Sequence, residues 1–247
     1  MHVLLRFGLL GTMLVLMAGC SNTTASSSDG SASNGTANAQ TASTPAGATS
    51  TSATAATPQG GTATNTDTPD TIDPKDLPKD GDKVAVIETN YGTIIFKFIP
   101  DKAPKTVQNF QDLAEKKFYD GTKFHRVIPG MMIQGGDPNT KSDQRNTYGH
   151  GGPGYSVKAE FSDLKHVPGI VSMARAQDPD SAGSQFFIMV HDYPSLDGKY
   201  TIFGKVVKGM DVVNKIVSLP RDADDDPNPG NEATMKSVTI KTWPVKG

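Results

Sequence analysis

The chain has 247 residues, with 24 Lys and Arg against 26 Asp and Glu, for a net charge of -2. That length allows one large domain or two small ones, and the near-neutral balance supplies no basic surface for nucleic acid. A single cysteine excludes an internal disulfide framework and a cysteine-based metal site.

Residues 1–6 hold one arginine, Arg6, and the run from Phe7 to Ala18 is apolar. It has the length of a secretory signal core and is too short to span a bilayer. Leu16-Met17-Ala18-Gly19-Cys20 closes it with small residues. This stretch resembles the lipobox of bacterial lipoproteins, apart from Met17 where leucine is usual. The resemblance implies that residues 1–19 are a signal peptide cut before Cys20. Cys20 would then be acylated (palmitate or similar) on its sulfur and its new amino group. Several acyl chains hold a protein stably where one does not, which implies the extracytoplasmic side of a bacterial cell membrane. The other reading is an ordinary secretory signal with a spare thiol.

Ser21 to Thr71 contains no Leu, Ile, Val, Met, aromatic, Lys or Arg. Such a stretch cannot bury enough apolar surface to offset its ordering entropy. Residues 20–80 therefore read as the lipidated cysteine and a disordered Ser/Thr/Ala/Gly-rich tether, with a mean reach of roughly 40 Å. Glycosylation or cell-wall contact is the weaker alternative. Pro74 and Pro78 stiffen its end.

Residues 81–247 are long enough for one sizeable core. Val84–Thr89 and Thr93–Ile99 read as a hairpin about Asn90-Tyr91-Gly92. Pro104–Lys117 reads as a helix, with proline in its first turn and Val107, Phe110, Leu113 and Ala114 on one stripe. Phe124–Ile128 alternates, with Phe124, Arg126 and Ile128 on one face and His125 and Val127 on the other. An arginine in an apolar strand is paired or faces a cleft, unless its stem covers apolar surface and its head stays in water. Asn139–Tyr155 is a long polar, Gly-rich loop of the functional kind. Strands follow at Gly169–Ala174, Gln185–Val190 (apolar enough to be buried on both faces) and Tyr200–Val207. A short helix, Met210–Ser218, then turns Val212, Val213, Ile216 and Val217 inward. An acidic loop over 220–231 precedes the last strand, Met235–Thr242, in which Trp243 lies and packs. Many short strands with two non-alternating helices indicate an antiparallel barrel or sandwich.

Much chemistry is missing. There is no Gly-x-Ser-x-Gly elbow and no phosphate-binding Gly-x-x-x-x-Gly-Lys loop. His125, His150, His166 and His191 lack metal-ligand spacing and read as structural. Asp222, Asp224 and Asp226 fail as a calcium loop, because Pro227 and Ala233 stand where glycine and glutamate are needed. They read as a solvated acidic loop. His150-Gly151-Gly152-Pro153-Gly154 looks like a hydrolase oxyanion loop but has no nucleophile to serve. No metal or cofactor is expected. The remaining set, of arginine, glutamine, methionine, phenylalanine and main chain, suits an apolar group and an amide.

Phe124-His125-Arg126 through Gln134-Gly135-Gly136-Asp137 is similar to the signature of the cyclophilin-type peptidyl-prolyl isomerases. So are Ser172-Met173-Ala174-Arg175 with Ala182–Ile188, and Leu196-Asp197-Gly198-Lys199 with Phe203-Gly204-Lys205-Val206. The order holds from about Lys83 to Thr242. The resemblance implies a mainly β fold: a closed eight-stranded antiparallel barrel capped by two helices, with substrate along one outer face. It implies that Arg126 donates to the prolyl nitrogen of a twisted amide. It implies a proline pocket from Met132, Phe187 and Leu196, with Met131 among the substrate-binding residues. Gln134 would hold substrate backbone, main chain at Arg175 the residue before proline, and Ala174, Gln185 and Tyr200 the rest of the groove.

Several positions depart from the family. Met131 stands where phenylalanine is common, Arg175 where asparagine is, and Tyr200 where histidine is. Ser195 stands where some members have tryptophan, which implies weak cyclosporin binding. The expected protein is a tethered monomeric isomerase acting on proline-containing exported chains. A module that binds such chains without turning them over is the rival, and a surface lipoprotein with a vestigial site the third reading.

Overall fold

The computed structural model describes residues 74–246. The signal peptide, Cys20 and most of the tether lie outside the described residues. The rest of the tether does not hang free. Pro74–Asp76 is a turn of 3₁₀ helix, Asp76 pairs with Lys97 and Lys205, and Pro78 is buried. Among the described residues no helix is long and apolar enough to cross a membrane.

The first hairpin is β1 (Lys83–Thr89) and β2 (Thr93–Phe98), antiparallel with Ile87 opposite Ile94. Alternation sends Ala85, Ile87, Ile94 and Phe96 into the main core. It sends Val84, Val86 and Ile95 outward, where Trp243 covers them with Val207. Trp243 sits one residue beyond the last strand rather than within it.

Helix α1 (Pro104–Glu115) begins at its proline, as expected, but has no local side-chain cap. Glu160 supplies one from 54 residues away: its carboxylate accepts from the Lys105 and Thr106 N–H groups at 3.1 and 2.8 Å. A carboxylate there satisfies orphan donors and suits the positive end of the helix dipole. The helix stops two residues before the expected Lys117. Lys117 adopts φ 56, and the Phe118 and Lys117 N–H groups turn back to Leu113 and Ala114. This is a Schellman ending with a non-glycine residue in the left-handed position.

Next come β3 (Lys123–Phe124), β4 (Arg126–Ile128) and β5 (Met132–Gly135). Then come β6 (Ile170–Met173), β7 (Phe186–Met189) and β8 (Ile202–Lys208). Helix α2 (Met210–Val217) and β9 (Ala233–Thr242) finish the fold. Gly209, which caps α2, has φ 94, and a Cβ there would lie 2.3 Å from the Thr93 carbonyl. Only glycine fits that approach.

The antiparallel order is β3-β9-β1-β2-β8-β6-β7-β5-β4. Its two ends are the halves of one segment interrupted at His125. β3 pairs with β9 and β4 with β5, so the sheet comes round on itself into a nearly closed barrel. The expected eight strands result when this segment is counted once. The interruption also corrects the expected alternation. Phe124 and Val127, three apart, are both fully buried in the main core, because the chain changes pairing partner between them. Inside the barrel Phe110 of α1 stacks on Tyr119 and meets Phe96, Phe186 and Phe203 edge-on or tilted, at centroid distances of 4.8–5.5 Å. Such rings carry much of the burial energy of a core.

Candidate active site

Strand alternation builds the site on the outer face of β4, β5, β6 and β7. Ile133, Phe186 and Ile188 point into the barrel, while Met132, Phe187 and Met189 point out. With Ile170 and Ile202 these outward residues form a second apolar cluster. Met131, Ala174, Leu196 and Tyr200 pack around it, half-buried. The strand Phe186–Met189 is thus buried on both faces, as its composition implied, one face in the core and one on the floor of a groove.

Register decides which polar groups meet this floor. Arg126 lies opposite Gln134, and Gln134 opposite Phe187. Directly opposed residues sit about 5 Å apart at Cβ, so these three form a row across β4, β5 and β7. Arg126 is exposed, at 47 %, and its Nε lies 3.7 Å from Asp225 Oδ2. It is neither buried in an ion pair nor turned into the core. Asp225 is held in turn by Arg221, at 3.2 Å. Its carbonyl accepts from the Val127 N–H at 2.7 Å, pinning the acidic loop to β4.

Gln134 and Gln185 form a chain of amides. The Gln134 side-chain N–H₂ donates to Gln185 Oε1 at 2.9 Å. Gln185 donates to the Gly149 and Gly151 carbonyls, also at 2.9 Å. This ties the groove to the loop that the sequence marked as functional. Gly151 is required there, because a Cβ would lie 2.0 Å from Asp137 Oδ1. Its N–H instead donates to Asp137 Oδ2. Gly151 thus serves close packing, while Gly149 and Gly154 supply left-handed turns with φ 82 and 88.

Ala174 N–H donates to the Gln185 carbonyl at 2.9 Å. Arg175 stacks over the Tyr200 ring, 4.7 Å from its centroid. Tyr200 meets Phe187 edge-on at 5.7 Å. Leu196 closes the apolar floor from a 3₁₀ turn, Pro194–Leu196. All ten candidate residues of the folded part therefore line one face; Cys20 lies outside the described residues.

Some of the supporting residues were not legible as such. His166 is buried at 1 % exposure and stacks on Phe187 at 6.0 Å. Its Nδ1 meets Asp197 Oδ1 at 3.1 Å and its Nε2 meets Ser172 Oγ at 3.3 Å. Burial holds its pKa down, against the pull of Asp197. A lone histidine before a turn carries no signal of this role. His125 differs: it is buried, and burial lowers its pKa against the pull of Asp137 and the Lys123 main chain. The acidic loop is solvated at Asp222 and Asp224, as expected, but Asp226 is buried. Arg145 pairs with Asp222 at 2.9 Å and with Asp226 at 2.8 Å. Burial nevertheless pushes Asp226 up to about 6, with neighbouring Asp222 adding to the rise.

Two hollows flank the row. One, of about 580 Å³, runs past Gln134, Ala174, Arg175 and Gln185 under the Gly149–Ser156 loop. The other, of about 530 Å³, lies between Arg126, His125 and the acidic loop. Among the described residues no cluster of His, Cys, Asp or Glu is arranged to hold a metal ion. The site offers an exposed guanidinium at the rim of an apolar floor, amide donors and acceptors, and two adjoining hollows. It can hold an extended peptide, seat one apolar ring and aim a cation at its backbone.

The family model described as "Cyclophilin type peptidyl-prolyl cis-trans isomerase/CLD" matches residues 84–244. The chain is 45 % identical over 148 residues to "Peptidyl-prolyl cis-trans isomerase-like 1" of Neurospora crassa, covering 57 % of this chain and 85 % of that one. It is 44 % identical over 142 residues to "Probable peptidyl-prolyl cis-trans isomerase" of Brucella abortus, covering 56 % and 72 %. A crystal structure of a Cryptosporidium parvum cyclophilin-type isomerase, in the presence of the dipeptide Ala-Pro, superposes with TM-score 0.58 at 36 % identity. It covers 64 % of this chain and 99 % of that one.

Proposed function

We propose, from the premise that the chain belongs to the cyclophilin-type peptidyl-prolyl cis-trans isomerases, that it turns over Xaa-Pro bonds of exported polypeptides through Arg126. The barrier to this rotation is about 18–20 kcal/mol, because the C–N bond has partial double-bond character. Unaided isomerisation therefore takes tens of seconds or longer. Reaching milliseconds needs roughly ten-thousandfold, or about 5.5 kcal/mol.

No covalent step is needed. The proline ring rests on Met132, Phe187 and Leu196, with Met131 at the side. Gln134 holds substrate main chain, the Arg175 main chain takes the residue before proline, and Ala174, Gln185 and Tyr200 close the groove. As the amide twists, the nitrogen lone pair localises and accepts a hydrogen bond from Arg126. That bond exists only in the twisted state, so it lowers the barrier rather than tightening ground-state binding. The row of Arg126, Gln134 and Phe187 across three strands carries this reading. NMR exchange between cis and trans forms of a short Xaa-Pro peptide tests it: the protein should accelerate exchange in a manner that depends on Arg126.

The location is read from the amino terminus. An apolar run ending in Leu16–Cys20, followed by a polar tether, supports a lipid-anchored protein outside the cytoplasm. Its partners there are unfolded or proline-containing exported chains. Mass spectrometry of the mature amino terminus tests it, with a diacylated or triacylated Cys20 expected. A free Cys20 thiol refutes the anchor.

A further inference from the structure

Arg175 is anchored in a way that its place beside the groove does not require. Its Nε donates to the Lys199 carbonyl at 3.1 Å. Its Nη1 donates to the Ala176 and Gln177 carbonyls at 2.9 and 3.0 Å. The guanidinium lies on the Tyr200 ring. Three carbonyls and a ring face hold this cation in one place, while Nη2 makes no hydrogen bond among the described residues. A pre-ordered cation loses little entropy when it meets an anion.

Among the described residues no ion pair meets this charge. Arg175 lines the 580 Å³ hollow, and no carboxylate lines it with Arg175. The carboxylates nearest in sequence are held by main-chain donors rather than by Arg175: Asp178 accepts from the Asp180 N–H and Asp180 from the Ala159 N–H, both at 2.9 Å. Lys199, on the adjoining turn, donates to the Ser195 carbonyl and adds to the positive field. The hollow shares Gln134 and Gln185 with the groove, so a side chain preceding the proline can enter it.

We propose that Arg175 sets the charge preference of the groove, so that this chain favours Xaa-Pro bonds with an acidic side chain among the three residues before the proline. This rests on the isomerase reading, and its test separates the two. Peptides carrying Glu, Gln or Lys in turn at each of those three positions are compared for kcat/KM by NMR exchange and for Kd by calorimetry. At one position at least, Glu should be favoured over Lys by about three- to tenfold at low salt, in both quantities, and the ratio should shrink toward one near 1 M salt. Arg175→Gln should flatten the ratio and Arg175→Lys should keep most of it. Because the ratio is taken within each variant, any general loss from disturbing Tyr200 cancels. Equal affinities for the Glu and Lys peptides at every position, or an unchanged ratio in Arg175→Gln, overturns the charge preference. Loss of turnover with the Kd ratio intact sinks the isomerase reading alone and leaves charge selection standing.

Discussion

Replacing Arg126 with alanine removes the donor proposed for the rotating bond and leaves the apolar floor in place. The side chain is 47 % exposed and contacts Asp225 at 3.7 Å, so its loss opens no core cavity. Asp225 keeps Arg221 at 3.2 Å and is not stranded. The cost to folding should stay below about 1 kcal/mol, as for exposed pairs generally. The catalytic cost is different in kind. A pre-organised donor to charge that develops only in the transition state is worth about 3–4 kcal/mol in a dry site. Arg126 stands at an open rim, so the lower end applies, and kcat/KM should fall about a hundredfold. Peptide affinity should change less than about threefold, because the planar amide offers that lone pair poorly. The assay is two-dimensional exchange spectroscopy on a short Xaa-Pro peptide, with Kd from chemical-shift titration and thermal melting as the folding control. A folded Arg126→Ala variant retaining wild-type exchange within threefold refutes the proposed chemistry. An equal loss of Kd and kcat/KM shows that Arg126 only binds.

Phe187, 5 % exposed on the groove floor, should tolerate leucine in folding at a cost under about 1.5 kcal/mol. Phe187→Leu should nevertheless weaken the seat for the ring and lower kcat/KM about tenfold, mostly through KM; a fall in kcat alone would count against the pocket. Asp226, raised to about 6 chiefly by burial, holds its proton more tightly folded than unfolded. Its contribution is therefore full below about pH 4 and lost as pH rises through 6. Asp226→Asn, which cannot ionise, should gain on wild type over that range by on the order of 1 kcal/mol after solvent screening, or about 2–4 °C in Tm; a pH-independent difference between the two melting curves contradicts this. Cyclosporin should bind weakly, since Ser195 precedes Leu196 where a larger indole would help hold it, and tight inhibition in a titration would overturn that expectation.

How much could be read before the coordinates depends on the range of the interaction. Helix α1 starts where Pro104 and the apolar stripe say, because both are local. It ends two residues early because Lys117 turns left-handed, a choice the stripe does not reveal. Apolar composition gave the two-sided burial of Phe186–Met189, but alternation failed at His125. There a change of strand partner resets the pattern and puts Phe124 and Val127 on the same side. The acidic loop is solvated as read at Asp222 and Asp224, but charge density gave no sign that Asp226 is buried. The pairing of Asp222 with Arg145 spans 77 residues.

The chain's order of residues by itself indicated both helices and most of the strands, the two-sided burial of Phe186–Met189 and the arginine, amide and apolar side chains that line the groove. Periodicity and residue type act over a few positions, and those positions are adjacent in the chain. Only the tertiary structure decided that Arg126 aligns with Gln134 and Phe187, that Glu160 caps α1, that Asp225 braces the catalytic candidate and that Arg175 is fixed on Tyr200. Strand register and side-chain pairing across the barrel arise from closing the sheet, where contacts join residues that no short window of sequence contains.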